Sequence, residues 1–142
     1  MEKTKLTIWG KVLIGLVVVG VAWAVLQNRR ESARIQQLAS LPPCGLAAEY
    51  VKWRLVFEER HPAGELTGSA AEDFVGESEV FERAVRRAQR ASQSRLLEEL
   101  EALTTIDSTR WVRGGGDIDS FVQVMISECP DDVQGLISGA ER

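Results

Sequence analysis

A run of apolar residues near the N-terminus constrains this chain more than any other feature. Residues 6–26 (LTIWGKVLIGLVVVGVAWAVL) carry one charged side chain, Lys11. In an α-helix, a segment of this length extends roughly 31 Å, which is close to the thickness of a bilayer's hydrocarbon layer. A core helix of a soluble domain would be shorter or would carry a polar stripe, and residues 12–26 have neither property. The run therefore predicts a membrane anchor over residues 1–26.

The ends of this run have the composition of a membrane interface. Trp9 and Trp23 lie near the two ends, where indole rings favour the headgroup region. Lys11 is close enough to one end for its aliphatic stem to follow the apolar surface while the ammonium group reaches water. Arg29 and Arg30 then terminate the run. We therefore expect these five residues to lie at the membrane interface.

A cleaved signal peptide is the alternative interpretation of the same segment. Lys3 and Lys5 make a positively charged start, and the sequence AWA at 22–24 has the small-x-small form of a cleavage site. The apolar run is, however, longer than a signal core, and helix-favouring sequence continues unbroken to Pro42. We favour a permanent anchor, with an exported soluble helical protein as the alternative.

The flanking charges leave the orientation open. Three lysines and one glutamate lie on the N-terminal side, against three arginines and one glutamate on the C-terminal side. The positive-inside comparison is therefore balanced. The two cysteines favour an oxidising compartment. We expect a single-pass protein of the cell (inner) membrane, with its C-terminal part extracytoplasmic or periplasmic.

The rest of the sequence predicts helices and no strand. Residues 27–43 form a helical stalk or linker that continues from the anchor. Pro42 and Pro43 end it, because neither proline can supply an amide hydrogen. Residues 44–142 predict a small soluble head of three or four helices. The expected fold is therefore all-α, with one N-terminal transmembrane helix, a stalk and a helical head.

The first helix of the head, at 45–61, is expected to be apolar on two faces. Tyr50, Trp53 and Phe57 lie on one face at helical spacing with Leu46. A second stripe on the far side consists of Ala48, Val51 and Leu55. Such a helix is either central in a bundle or shared with a partner. Tyr50, Trp53 and Phe57 are therefore candidates for partner binding.

A longer helix is expected at roughly 70–104, capped by Ser69 or Ser78 and divided at Gly76. It carries a cluster of arginines, of which part pairs with acidic residues one turn upstream. Arg87 and Arg90 have no such acidic residue, so they are candidates for contact with an acidic subunit or anionic lipid headgroups. The alternative is a solvated charged face. An acidic block follows, and this segregation of charge suggests antiparallel pairing with a second copy.

Cys44 and Cys129 are the only cysteines, and their separation of 85 positions excludes a CxxC motif and the short ligand spacings of zinc sites. In an exported head we expect them to form an intramolecular disulfide. Two buried thiols and disulfides between chains are the alternatives.

No catalytic, cofactor or metal site is expected. His61 is the only histidine, and no Ser or Cys nucleophile motif accompanies it, so we interpret it as a helix-terminal residue. The glycine-rich sequence at 114–120 lacks the Lys-Ser/Thr of a P-loop and the ligand spacing of a calcium loop. We interpret it as a hinge followed by a cap at Asp117 or Asp119. A small acid–base enzyme using carboxylates such as Glu58, Glu59 and Asp73 is the alternative.

The leading functional hypothesis is a non-enzymatic, membrane-tethered interaction or assembly subunit. Its expected partners are the lipid bilayer and a protein, or a second copy of the chain. The net charge of −4 argues against nucleic-acid binding, and no small-molecule substrate is evident. In layout alone the chain also resembles phage inner-membrane spanins, which combine an N-terminal anchor with an exported helical region. That resemblance would imply a lysis protein.

Overall fold

The computed structural model of the protein describes residues 2–61, 68–109 and 117–140. These residues form six α-helices and no strand: α1 (Glu2–Ala39), α2 (Pro43–Arg60), α3 (Ser69–Gln89), α4 (Arg95–Thr109), α5 (Ile118–Glu128) and α6 (Pro130–Ala140). The predicted all-α fold, with a long apolar helix followed by a helical head, is confirmed. The described part of the head contains five helices rather than the expected three or four, because one of the predicted helices is divided into two. By contacts the chain divides into two units, residues 1–34 and 35–142.

The first unit contains the apolar part of α1. The segment Thr7–Ala39 is long and apolar enough to cross a membrane, and its most apolar part is not buried within the protein. Every residue from Lys11 to Arg34 is exposed, so apolar side chains face outward on all sides of the helix. As predicted, the helix continues without a break from its apolar part into the polar residues that follow.

The second unit, which contains the last residues of α1 and the head, buries its apolar side chains in a common core. α2 is the central helix, because it contacts α3, α4, α5 and α6. Its residues Leu46, Tyr50 and Val51 are almost completely buried. The second of the two apolar faces predicted for α2, which consists of Ala48, Val51 and Leu55, is therefore partly in the core. Leu55 and the neighbouring Val56 remain exposed.

The single long helix predicted at 70–104 is two helices. α3 ends at Gln89 and α4 begins at Arg95, and the two helices pack along each other. Ser94 caps the second helix, because its Oγ accepts a hydrogen bond from the backbone N–H of Leu97 at 3.1 Å. Gly76 lies inside α3, so the break predicted there is wrong. A glycine weakens a helix by only about 1 kcal/mol, which packing readily offsets.

One of the two predicted helix caps needs correction. α3 begins after Gly68, with no side-chain cap, so Ser69 and Ser78 do not serve as caps. Gly68 has φ +60°, a left-handed conformation that glycine adopts without strain. Ser78 is instead buried, and its hydroxyl donates to the carbonyl of Phe74 at 2.8 Å. At α5 the prediction is confirmed, because Asp117 accepts hydrogen bonds from the backbone N–H groups of Asp119 and Ser120.

Candidate functional site

The aromatic residues predicted on α2 belong to a cluster that joins α2 to α3. Trp53 stacks on Phe74 with 5.4 Å between ring centroids and lies 5.5 Å from Phe81. Phe57 lies 5.1 Å from Phe74, and Tyr50 meets Phe81 edge-on at 5.4 Å. Such pairs add to the energy of apolar burial. Tyr50 is fully buried and therefore presents no surface to a partner, whereas Trp53 and Phe57 are half-buried.

A buried charged pair that was not among the predicted sites joins α2 to α4. Arg54 is 1% exposed and Asp107 is 0% exposed. Nη1 of Arg54 donates to both carboxylate oxygens of Asp107, at 2.8 and 2.7 Å. Nη2 of Arg54 donates to Oε1 of Glu58 at 2.9 Å, which extends the pair toward solvent. The hydroxyl of Tyr50 donates to the Asp107 carboxylate and accepts from Arg54 Nη1. We call these four residues the ionic cluster.

The environment fixes the protonation of two members of the ionic cluster. Burial raises the pKa of Tyr50 far above its ordinary value, and the charge of Asp107 raises it further. Burial alone would lower the pKa of Arg54, but its interactions with Tyr50, Asp107 and Glu58 outweigh that effect and raise it. The phenol therefore stays neutral and the guanidinium stays charged at any physiological pH. Neither the phenol nor the guanidinium can exchange a proton near neutrality, so the arrangement suits a structural ion pair between helices better than acid–base chemistry.

The sequence spacing of these residues does indicate that they lie on the buried faces of their helices. Tyr50, Arg54 and Glu58 are spaced four residues apart, so their side chains follow one another along one face of α2. That face also carries the aromatic residues, which are expected to be buried. On α4, the apolar residues Leu96, Leu100 and Leu103 are followed, at helical spacing, by Asp107. One cation and one carboxylate on two apolar faces indicate a buried pair.

The two cysteines are joined by a disulfide with 5.7 Å between their Cα atoms, as predicted. Cys44 lies in the first turn of α2, and Cys129 lies between α5 and α6. The bond therefore ties the beginning of the head to its last two described helices.

The arginine-rich segment predicted as a partner-binding site lies on α3. Arg86 pairs with Glu82 at 2.6 Å, as the sequence spacing predicted, and with Glu101 of α4 at 3.3 Å. The positive and negative segments thus meet within one molecule, and the single charge-segregated helix needed for antiparallel self-pairing is absent. Arg87 and Arg90 are exposed, and no carboxylate of the described residues lies within ion-pair distance of either.

The residues predicted at the membrane interface all lie exposed on α1. Trp9 and Trp23 are 70% and 62% exposed. The helical rise between Lys11 and Arg29 is about 27 Å, close to the roughly 30 Å of a bilayer's hydrocarbon layer. Arg30 follows directly. The spacing of these charges therefore fits a single crossing.

The remaining candidates are exposed or outside the described residues. His61 directly follows the last residue of α2, and its backbone N–H donates to the carbonyls of Phe57 and Glu58. Glu59 and Asp73 are exposed, while Glu58 is engaged with Arg54. The glycines at 114–116 lie outside the described residues. A shallow hollow of about 250 Å³ between α4 and α5 is lined mainly by apolar side chains, with Ile106 and Val124 among them.

The features that bear on function are therefore an exposed apolar helix, a head that contains a buried ion pair and a disulfide, and two exposed arginines. Comparison of the chain with protein-family models, with curated proteins and with solved structures found no match.

Proposed function

We propose that the protein is a single-pass membrane protein whose head acts as a non-enzymatic interaction or assembly subunit. One observation carries the proposal: every apolar side chain at 12–26 of α1 is exposed, whereas most apolar side chains of the head are packed together. Exposed apolar surface costs about 25 cal/mol per Å² in water. A bilayer, with a hydrocarbon layer of roughly 30 Å, removes this cost along the whole apolar run, and a soluble partner could cover only part of it.

The disulfide supports placing the head outside the cytoplasm. Disulfides persist in oxidising compartments such as the periplasm and are rare in the cytosol. The Cys44–Cys129 bond therefore favours an inner-membrane protein with an extracytoplasmic head. The lysis function implied by a spanin-like layout stays a prediction, since no contact within the described residues favours it over other exported heads.

Two surfaces of the head are suited to a protein partner. Leu55 and Val56 are 50% and 40% exposed on neighbouring positions of α2. Arg87 and Arg90 offer positive charge at the end of α3. Arginines of this kind suit an acidic partner, because guanidinium groups form paired hydrogen bonds with carboxylates. We therefore expect the partner to be a protein, either a second copy or another chain, that presents apolar and acidic groups to the head.

Site-specific photo-crosslinking in native membranes tests this proposal. A photoreactive residue at position 55 or 87 is expected to give a discrete adduct with a protein, whereas the same residue at the exposed Gln134 of α6 is a matched control. Arg87→Glu combined with Arg90→Glu should reduce the adduct formed from position 55 if both surfaces face one partner. The absence of a discrete adduct from both 55 and 87 would contradict an interaction subunit.

A further inference from the structure

We infer that Cys44, Cys129 and Asp132 form, after reduction of the disulfide, a three-ligand binding site for a thiophilic divalent cation such as Zn²⁺. The two sulfur atoms and a carboxylate oxygen of Asp132 all lie within 4.8 Å of one another. Sequence spacing alone excluded a local zinc motif, because the two cysteines are 85 positions apart. The fold supplies the proximity that the sequence spacing lacks, and the third ligand is an acidic residue that no sequence pattern singled out.

Three helix ends hold the ligands in place. Cys44 lies in the first turn of α2, and Cys129 immediately precedes α6. Asp132 lies in the first turn of α6, three residues after Cys129, which is the spacing at which side chains at a helix start meet. Contacts of α2 with α5 and α6 fix these ends relative to one another. The site is therefore built on packed helices rather than on a loop.

The electrostatics change with the redox state. In the disulfide neither sulfur is charged. Reduction adds two electrons and two protons to the S–S bond, from a thiol or phosphine reductant, and gives two thiols. A divalent cation then displaces the two protons to solvent and leaves two thiolates and one carboxylate around it. The starts of α2 and α6 favour thiolates, because free backbone N–H groups give helix N-termini a partial positive charge.

The cation also removes a repulsion that the reduced site would otherwise have. In the disulfide-bonded structure the two sulfurs and the Asp132 carboxylate oxygen lie within 4.8 Å of one another, so two thiolates and a carboxylate at these positions would disfavour one another in the absence of a cation. Two sulfur ligands select Zn²⁺, Cd²⁺ or Co²⁺ over Mg²⁺ and Ca²⁺, which prefer oxygen. In tetrahedral zinc geometry the two sulfurs would lie about 3.8 Å apart, given Zn–S bonds of about 2.3 Å. Rotation of the cysteine side chains suffices for this, because the Cα atoms are 5.7 Å apart.

Cobalt titration of the full chain in detergent tests the site. Reduced protein is expected to develop a near-ultraviolet thiolate-to-cobalt band and the visible bands of tetrahedral Co²⁺, and Zn²⁺ should bleach both. Oxidised protein should give neither. Reduced wild-type protein that gives no such bands would overturn the inference, whatever the outcome for the membrane function proposed above.

Matched variants identify the third ligand. Asp132→Asn keeps both thiols and removes the carboxylate. Cobalt affinity is therefore expected to fall roughly tenfold or more, because removing even a group that only supports a metal ligand typically has an effect of this size. Asp131→Asn changes the neighbouring acidic residue of the same turn and should leave the affinity unchanged. Equal unfolding midpoints of the oxidised variants would establish that both are folded. Equal cobalt affinity of Asp132→Asn and wild-type protein would overturn the role of the carboxylate.

Discussion

The two units of this protein use the same apolar residue types in opposite ways. Val17 on α1 is 63% exposed, whereas Val85 on α3 is completely buried. The helices of the head have polar residues on the face opposite the core, and the apolar part of α1 has none. Hydrophobic content by itself therefore does not decide where a helix belongs. The decisive property is whether a polar face remains for water once the apolar face is covered.

The two units also differ in where they place charge. On α1 the stretch 12–26 carries no charge, with Lys11 directly before it and Arg29 and Arg30 shortly after it. The head instead buries Arg54 and Asp107 and pairs them with each other. A lone ion in a low-dielectric environment is very costly, and the two units avoid that cost by different routes. One excludes charge, and the other pairs it. This difference gives the variants below distinct expected effects.

The largest expected effect follows from charge placed within α1. Each aspartate at the centre of a membrane span costs roughly 2.5 to 3.5 kcal/mol, so Val17→Asp combined with Val18→Asp should prevent stable insertion. Wild-type protein should remain in the membrane pellet after alkaline carbonate extraction, and the variant should be released. The matched control is Leu55→Asp combined with Val56→Asp, which places the same charges on exposed positions of the head. Release of this control to the same extent would contradict the distinction between the two units.

The disulfide has the next largest expected effect, and it should be confined to the head. Closing a loop of 85 residues stabilises the folded state by about 4 to 5 kcal/mol in the chain-entropy treatment. Cys44→Ser combined with Cys129→Ser should lower the free energy of unfolding by this order. Denaturant unfolding of the full chain in detergent, followed by circular dichroism, measures it. Reduced wild-type protein in the presence of a chelator should lose the same amount, and an unchanged midpoint would contradict the prediction.

The ionic cluster has a somewhat smaller expected effect. Asp107→Asn leaves Arg54 buried without its carboxylate, which typically costs about 3 to 5 kcal/mol. The same unfolding experiment measures this loss, with Glu59→Gln as an exposed control that should change little. Arg54→Met combined with Asp107→Leu should recover much of the lost stability, because paired apolar groups need no compensating charge. A double variant as unstable as the single one would show that the charges are not what ties α2 to α4.

Local patterns predicted the features that depend on nearby residues. The apolar run has no polar face over four turns, the prolines stop the stalk, and Asp117 precedes an apolar stripe on α5. Each of these signals lies within a few residues of the feature that it specifies. The pairing of Cys44 with Cys129 was also predictable, because a chain with two cysteines has only one intramolecular pairing.

Long-range packing decided the features that sequence reasoning missed. The sequence from Gln89 to Arg95 contains neither glycine nor proline, so propensity alone continues the helix through it. The chain turns there because α3 and α4 bury their apolar faces against each other. Asp107 was missed for a related reason: its partner lies 53 positions away, and no local pattern specifies that distance. Asp132 joins the cysteines only after three helices have packed.

The smallest expected effect concerns the cap of α5, and it is distinguished by its pH dependence. Hydrogen bonds from the side chain and the backbone of Ser120 lower the pKa of Asp117 below its ordinary value of 3.8. A lowered pKa means that the ionised cap stabilises the folded head above about pH 4 and that this contribution is lost as the pH falls through the lowered pKa. Asp117→Ala should therefore lower the thermal midpoint by a few degrees at neutral pH, and the difference from wild type should shrink in acid. Asp117→Ser keeps an acceptor that does not titrate, so its midpoint relative to Asp117→Ala should be insensitive to pH. A difference between wild type and Asp117→Ala that persists undiminished at the lowest pH would indicate that the cap acts through hydrogen bonds to a neutral carboxyl and not through its charge.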